Sequence, residues 1–185
     1  ADFARGLADL GVELISTGGT ATALEQAGLE VRAIDDFTGF PEIMDGRVKT
    51  LHPRLYAGLL AVRDDPGHAA SLAEHEIEVV DLVCVNLYPF EATVARPGVS
   101  DAEVIENIDI GGPTMVRASA KNHRYSTIVT DPEDYAPVLE ELKAGGGLSY
   151  NTRFALAKKA FTHTARYDSA IANWLTALDE ENKPG

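Results

Sequence analysis

The sequence predicts an α/β domain with a mainly parallel sheet flanked by helices. Three observations carry that reading. Apolar, β-branched segments alternate with helix-like ones, the pattern of βαβ units. The stretch Val79-Val80-Asp81-Leu82-Val83-Cys84-Val85 is almost continuously apolar, as a strand covered on both faces must be. A Gly-rich turn, Thr17-Gly18-Gly19-Thr20, separates a strand-like from a helix-like segment.

The elements follow in order. Residues 1 to 10 place Phe3, Leu7 and Leu10 on one helical face, and Gly11 ends the helix. Val12 to Ser16 reads as a short strand, the segment after the Gly-rich turn as a helix closed by Gly28, and Leu29 to Ile34 as a second strand. Asp35 to Met44 reads as loop with a possible turn of helix around Pro41. Gly46 to Leu60 mixes Gly, Pro and His with cations and reads as a long irregular loop, which in a compact domain points to function. A solvated helix spans Asp64 to Glu76, and Val79 to Leu87 is the strongest strand. Ser100-Asp101-Ala102-Glu103 is a capping box that opens a helix. A helix start follows Gly111-Gly112-Pro113, Ser126 to Thr130 is a strand, and Asp131-Pro132-Glu133 begins another helix. Gly145-Gly146-Gly147 reads as a linker. Beyond it, Asn151 is positioned to cap a long helix through Phe154 to Ala165, a further helical stretch runs from Asp168 to Leu178, and Lys183-Pro184-Gly185 reads as a tail. The organisation expected is a nucleotide-binding domain over 1–144 and a linker with a helical extension of the same unit over 145–185.

Composition narrows the function. The 185 residues carry 16 Lys and Arg against 29 Asp and Glu, a net charge of −13. Such a surface disfavours broad contact with nucleic acid or anionic membrane, which needs clustered cations. It leaves room for a small phosphorylated ligand. The single cysteine, Cys84, excludes an intrachain disulfide and reads as core filler rather than a nucleophile. No apolar run reaches the length of a membrane helix and no signal peptide is recognisable, so a cytoplasmic location is expected. Cys pairs, His-Glu-x-x-His, Walker A, dinucleotide and Gly-x-Ser-x-Gly patterns are all absent.

Against the overall acidity, Gly46 to Arg63 and Ile110 to Thr130 contain no Asp or Glu, and they hold Arg47, Lys49, Arg54, Arg63, Arg117, Lys121 and Arg124. In Gly46-Arg47-Val48-Lys49-Thr50-Leu51-His52-Pro53 this local reversal fits an anion site. The alternative is that Arg47 and Lys49 pair with acids elsewhere. In Thr17-Gly18-Gly19-Thr20, glycines and hydroxyls at a helix start suit a phosphate. Asp109, set before Gly111-Gly112 and followed by Lys121, suits either a base tuned by a cation or a plain ion pair. Tyr88, just past the main strand, stands where a ligand-facing residue belongs. His52 and His163 read at least as well as structural histidines.

These segments, with Thr38-Gly39-Phe40-Pro41-Glu42, Asn86-Leu87-Tyr88-Pro89-Phe90, Ala120-Lys121-Asn122-His123 and Lys159-Ala160-Phe161-Thr162-His163-Thr164, occur in one order that closely resembles the IMP cyclohydrolase domain. That domain is the N-terminal half of a bifunctional purine-biosynthesis protein that also carries AICAR formyltransferase. The resemblance implies a methylglyoxal-synthase-like fold. It also implies dehydrative closure of 5-formamidoimidazole-4-carboxamide ribotide (FAICAR) to IMP, without a metal or redox cofactor. Asp109 would help deprotonate the carboxamide, with Lys121 relaying the proton; Lys49 would stabilise the formyl oxyanion, and Tyr88 would orient the same centre. Thr17, Gly18, Gly19, Thr20 and Arg47 would hold the phosphate, and Thr50 would line the pocket. A homodimer and a fused formyltransferase domain are implied as partners. Family members open with a further strand and a Ser/Asp/Lys/Thr-containing loop that precede the first residue here. A non-catalytic nucleotide sensor or a dimerisation domain of the same fold is the competing reading; it needs the phosphate turn but not the set Lys49, Tyr88, Asp109 and Lys121.

Overall fold

In a computed structural model, which describes residues 1–178, helices surround two short parallel ribbons. Helix α1 (Asp2–Asp9) leads to β1 (Ile15–Ser16), α2 (Gly18–Gln26), β2 (Arg32–Ala33) and α3 (Ile34–Thr38). Next come α4 (Pro53–Leu60), α5 (Pro66–Glu74), β3 (Leu82–Cys84), α6 (Phe90–Val94), α7 (Asp101–Glu106) and α8 (Gly111–Lys121). Strand β4 (Thr127–Val129), α9 (Tyr135–Lys143) and α10 (Tyr150–Ala177) complete the chain. The expected tail at Lys183 to Gly185 lies outside the described residues.

Strand β1 pairs with β2, Ile15 opposite Arg32, and β3 pairs with β4, Val83 opposite Ile128; both pairings are parallel. The α/β alternation therefore holds, but the expected sheet is divided in two. The ribbons nevertheless occupy one layer, because they feed the same cores above and below. On one face Ile15 packs into the cluster of Val83, Ile128, Val116, Leu59 and Phe37. On the other, Leu14 and Leu82 join Phe3, Leu7, Val129 and Val138. Helix α10 contributes Ala157 and Ala160 to the first cluster and Leu156 to the second, so it belongs to the same packed body.

The hydrogen bonds show which edges are open. The Thr127 N–H donates to the Asp81 carbonyl and the Val85 N–H to that of Val129, so residues 81, 83 and 85 face β4. Strand alternation then turns the peptide groups of Leu82 and Cys84 the other way. The Arg32 N–H likewise donates to Leu14, which turns Ile15 away from β2. Each ribbon thus offers one unpaired edge.

This corrects the reading of Cys84 as core filler: with β4 on one side only, its side chain is exposed. Its thiol is still pushed above the ordinary range by burial, an effect the Tyr135 hydroxyl at 3.5 Å offsets in part. A thiol held protonated is a poor nucleophile.

Three other expectations change. Gly46 to Leu60 is irregular only in its first half, since α4 begins at Pro53 with His52 as its cap; the imidazole Nδ1 accepts the Arg54 N–H at 3.2 Å. His52 is thereby a structural residue of this turn. Asp35 to Thr38 is helical rather than loop, lying within α3. The two C-terminal helices are a single one of 28 residues, capped by Ser149, whose hydroxyl accepts the Thr152 N–H, and not by Asn151.

Candidate functional site

The site assembles around the N-terminus of α8. Asp109 is half-buried, and its Oδ1 accepts the Gly112 N–H at 2.8 Å, closing the open end of the helix. Its own N–H donates at 2.8 Å to the hydroxyl of Tyr167, a buried residue of α10. Burial raises the Tyr167 phenol above its ordinary pKa, an effect the Asp109 N–H offsets in part. One bond from α8 therefore holds the carboxylate and one to α10 holds the backbone beneath it, and Oδ2 has no donor among the described residues.

The paired glycines follow from this packing. A Cβ on Gly112 would overlap the Asp109 carboxylate, and one on Gly111 would stand 2.5 Å from the Thr50 hydroxyl. Any side chain at either position would push Asp109 or Thr50 out of place.

Thr50 and Lys49 arrive from the loop before α4. There Met44, Asp45 and Gly46 all take left-handed φ values, 55°, 54° and 87°. Two of the three are not glycine, so the reversal is strained. It folds Ile43 back onto Val48 in an antiparallel bridge and sets Arg47 at the outside of the turn. The Lys49 ammonium pairs with Glu42 and reaches the start of α2, within 3.7 Å of where a Cβ on Gly18 would stand. Gly18 has φ 56°, and the Thr17 side chain makes no capping bond, so the N–H groups of Gly18, Gly19 and Thr20 remain open toward Lys49. A helix start with free amides beside an ammonium is suited to an anion.

The structure thus joins Thr17 to Thr20, Lys49, Thr50 and Asp109 in a continuous series. Arg47 stands at its rim, exposed, 3.5 Å from Glu106. Both cations of the loop have acidic partners, the alternative that the sequence left open. Glu42 and Tyr167 were not singled out in the sequence: Glu42 stands only at the end of the Thr38-to-Glu42 segment, and nothing in the sequence marks Tyr167. Tyr88, beyond β3, is exposed, and its hydroxyl makes no hydrogen bond among the described residues.

Lys121 is not part of this group. It lies at the far end of α8 from Asp109, about 15 Å along the axis at 1.5 Å per residue. There it lines an open groove of about 540 Å³ with Tyr56, Arg117, Phe154, Lys158 and Phe161. The sequence spacing suggested a possible Asp–Lys pair; the helix keeps them apart.

A parallel α/β layer with its ligand-facing turns at the strand ends and at the starts of α2 and α8 defines the class. The MGS-like domain family matches residues 1–114, and the chain belongs to it. Residues 119–185 match the AICARFT/IMPCHase bienzyme, which makes this an enzyme domain of purine biosynthesis. A solved structure described as the crystal structure of ForH is similar at 39% identity, with a TM-score of 0.86 over 95% of this chain and 90% of that one.

Proposed function

We propose that the domain is an IMP cyclohydrolase, closing FAICAR to IMP with loss of water. The observation that carries this is the fixed Asp109 carboxylate sharing one wall with Thr50, Lys49 and the open amides of α2.

The reaction needs a proton acceptor, a stabiliser for a developing oxyanion and an anchor for phosphate. Asp109 Oδ2, free of donors while Oδ1 is held by the Gly112 N–H, takes the carboxamide proton as the nitrogen attacks the formyl carbon. Lys49 lies where it can leave Glu42 for a substrate anion and balance the charge growing on the formyl oxygen. Gly18, Gly19 and Thr20 offer their N–H groups to the phosphate, Thr17 and Thr50 add hydroxyls, and Arg47 exchanges Glu106 for it at the rim. Tyr88 orients the reacting end. Holding both ends of one ligand together supplies much of the rate. The domain works in the cytoplasm as a homodimer, in a polypeptide that also carries a formyltransferase.

The test is to incubate the chain with FAICAR and follow IMP by absorbance. Lys49→Ala and Asp109→Asn should each reduce turnover by about 100-fold or more, the scale of a lost base or oxyanion donor. Arg47→Ala should raise KM and leave kcat nearly unchanged. If the wild-type chain binds the nucleotide and forms no IMP, it is a sensor rather than a cyclohydrolase.

A further inference from the structure

Tyr88 and Asp109 belong to two irregular segments, one following β3 and one preceding α8, and no hydrogen bond joins those segments among the described residues. Neither a shared strand nor a shared helix sets the distance between the two side chains. What the segments share is a core. Leu87 and Phe90, on either side of Tyr88, and Ile108, directly before Asp109, all enter one apolar cluster with Tyr167 and Trp174 of α10.

Phe90 is fully buried in that cluster and meets two rings of α10 edge-on. Its centre lies 6.3 Å from that of Tyr167, at 70°, and 5.9 Å from that of Trp174, at 81°. Tyr167 and Trp174 stand about two helical turns apart, so one face of α10 presents both. The Phe90 N–H donates to the Tyr88 carbonyl at 2.8 Å, which ties the turn carrying Tyr88 to the clamped ring.

Tyr167 alone reaches both segments by different chemistry. Its ring packs on Phe90, while its hydroxyl accepts the Asp109 N–H at 2.8 Å. An apolar body with a polar tip suits a buried tyrosine to this double contact. The two sides of the junction also fall in different family matches. Tyr88 and Asp109 lie within residues 1–114, which match the MGS-like domain, and Tyr167 and Trp174 within residues 119–185, which match the bienzyme. The MGS-like layer carries the polar groups, and the bienzyme segment carries what spaces them.

We infer that Tyr167 is a positioning residue of the site. Its hydroxyl sets the backbone of Asp109, its ring sets the Tyr88 turn through Phe90, and α10 thereby fixes the spacing of the two. Such spacing matters, because a misplacement of about 1 Å can cost about 100-fold in rate. That the spaced groups close FAICAR rests on the cyclohydrolase reading; the packing does not.

Tyr167→Phe keeps the ring and removes only the acceptor for Asp109. With FAICAR it should lower kcat about 10-fold to 100-fold and leave KM within about twofold. In an Asp109→Asn background the same change should cost little more, since the group it positions is already gone. Equal losses in both backgrounds mean a general structural role and overturn the inference. Trp174→Leu loosens Phe90 from the far side and leaves the Asp109 bond in place. Its loss of kcat should vanish in a Tyr88→Phe background and persist in Asp109→Asn.

Amide exchange gives a readout that needs no turnover. Tyr167→Phe should speed exchange of the Asp109 amide about tenfold or more, with that of Val85, bonded to Val129, unchanged. Unaltered Asp109 exchange, or full turnover, in Tyr167→Phe overturns the inference and leaves the cyclohydrolase standing. A wild type that forms no IMP, with the Asp109 amide freed all the same in the variant, fails the cyclohydrolase and keeps Tyr167 as the residue that positions Asp109.

Discussion

The chemistry of the Asp109 wall depends on what two glycines lack. A methyl group at position 112 would occupy the space of the carboxylate that caps α8. Gly112→Ala should therefore leave the chain folded, since alanine favours a helix, and expel Asp109 from its two hydrogen bonds. Turnover should fall nearly as far as in Asp109→Asn while the circular dichroism is unchanged; a fully active variant would show that the carboxylate needs no fixed position. Tyr56 presents the converse case, a polar atom with nothing to hold it. Its hydroxyl is buried without a hydrogen-bond partner, and burial pushes its pKa up to about 12. The nearby Thr114 hydroxyl offsets a little of this, though not in hydrogen-bonding geometry, and the Asp109 charge adds to it. A phenol ionises more readily in the unfolded chain, at about 10. The stability contributed by keeping it neutral is complete below that pH and is lost as pH rises through about 12. Tyr56→Phe should flatten this alkaline loss in a denaturation series and should not lower stability at pH 7, because it removes a desolvated group that had no partner.

Among the elements, those with a side-chain signal were legible and those decided by tertiary packing were not. The Ser100-Asp101-Ala102-Glu103 box forms as read: Ser100 Oγ accepts the Glu103 N–H at 3.3 Å, and the Glu103 carboxylate accepts the Ser100 N–H at 3.1 Å. These bonds hold Glu103 below the usual carboxylate range. Their contribution is present above the ordinary carboxylate pKa of about 4.3 and disappears as pH falls through the depressed value. Ser100→Ala should therefore lower the melting temperature at pH 7, and the gap from wild type should close at strongly acid pH; a constant gap would mean that the carboxylate takes no part. Helix α4 shows the other outcome. Pro53 and His52 mark its start, but the cations around them suggested a loop, and the burial of Leu55 and Leu59 in the main core decides for helix. Strand β3 was legible as the strongest strand, whereas its exposed Cys84 was not, because an apolar run does not reveal whether both neighbours are present. The site divides in the same way. Motifs located the anion turn, Lys49 and Asp109, while Glu42 and Tyr167 become visible only through what they touch.

At the scale of the molecule, the two ribbons share their cores and yet make no ladder with each other. Buried backbone groups are ordinarily paired, because an unpaired donor in an apolar layer loses its bonds to water without replacement. Here Ile15, Leu82 and Cys84 turn their peptide groups away from their own partner strands, and Cys84 is exposed, so solvent reaches the free edge of its ribbon. The helices α1 and α8 must therefore hold the layer together from above and below, through Phe3 and Leu7 on one side and Val116 on the other. This gives a pattern that uniform core stability would not. In native-state hydrogen exchange the amides of Leu82, Cys84 and Ile15 should exchange by local access to solvent, with little dependence on denaturant. Val85, bonded to Val129, and the buried strand β4 should be protected up to the global unfolding free energy. If the amides of 82 and 84 are as slow as that of Val85, the two ribbons are closed into one sheet and the open edges do not exist in solution. The same measurement on Leu7→Ala should raise exchange in both ribbons together, since α1 packs on Leu14 from one and Leu82 from the other.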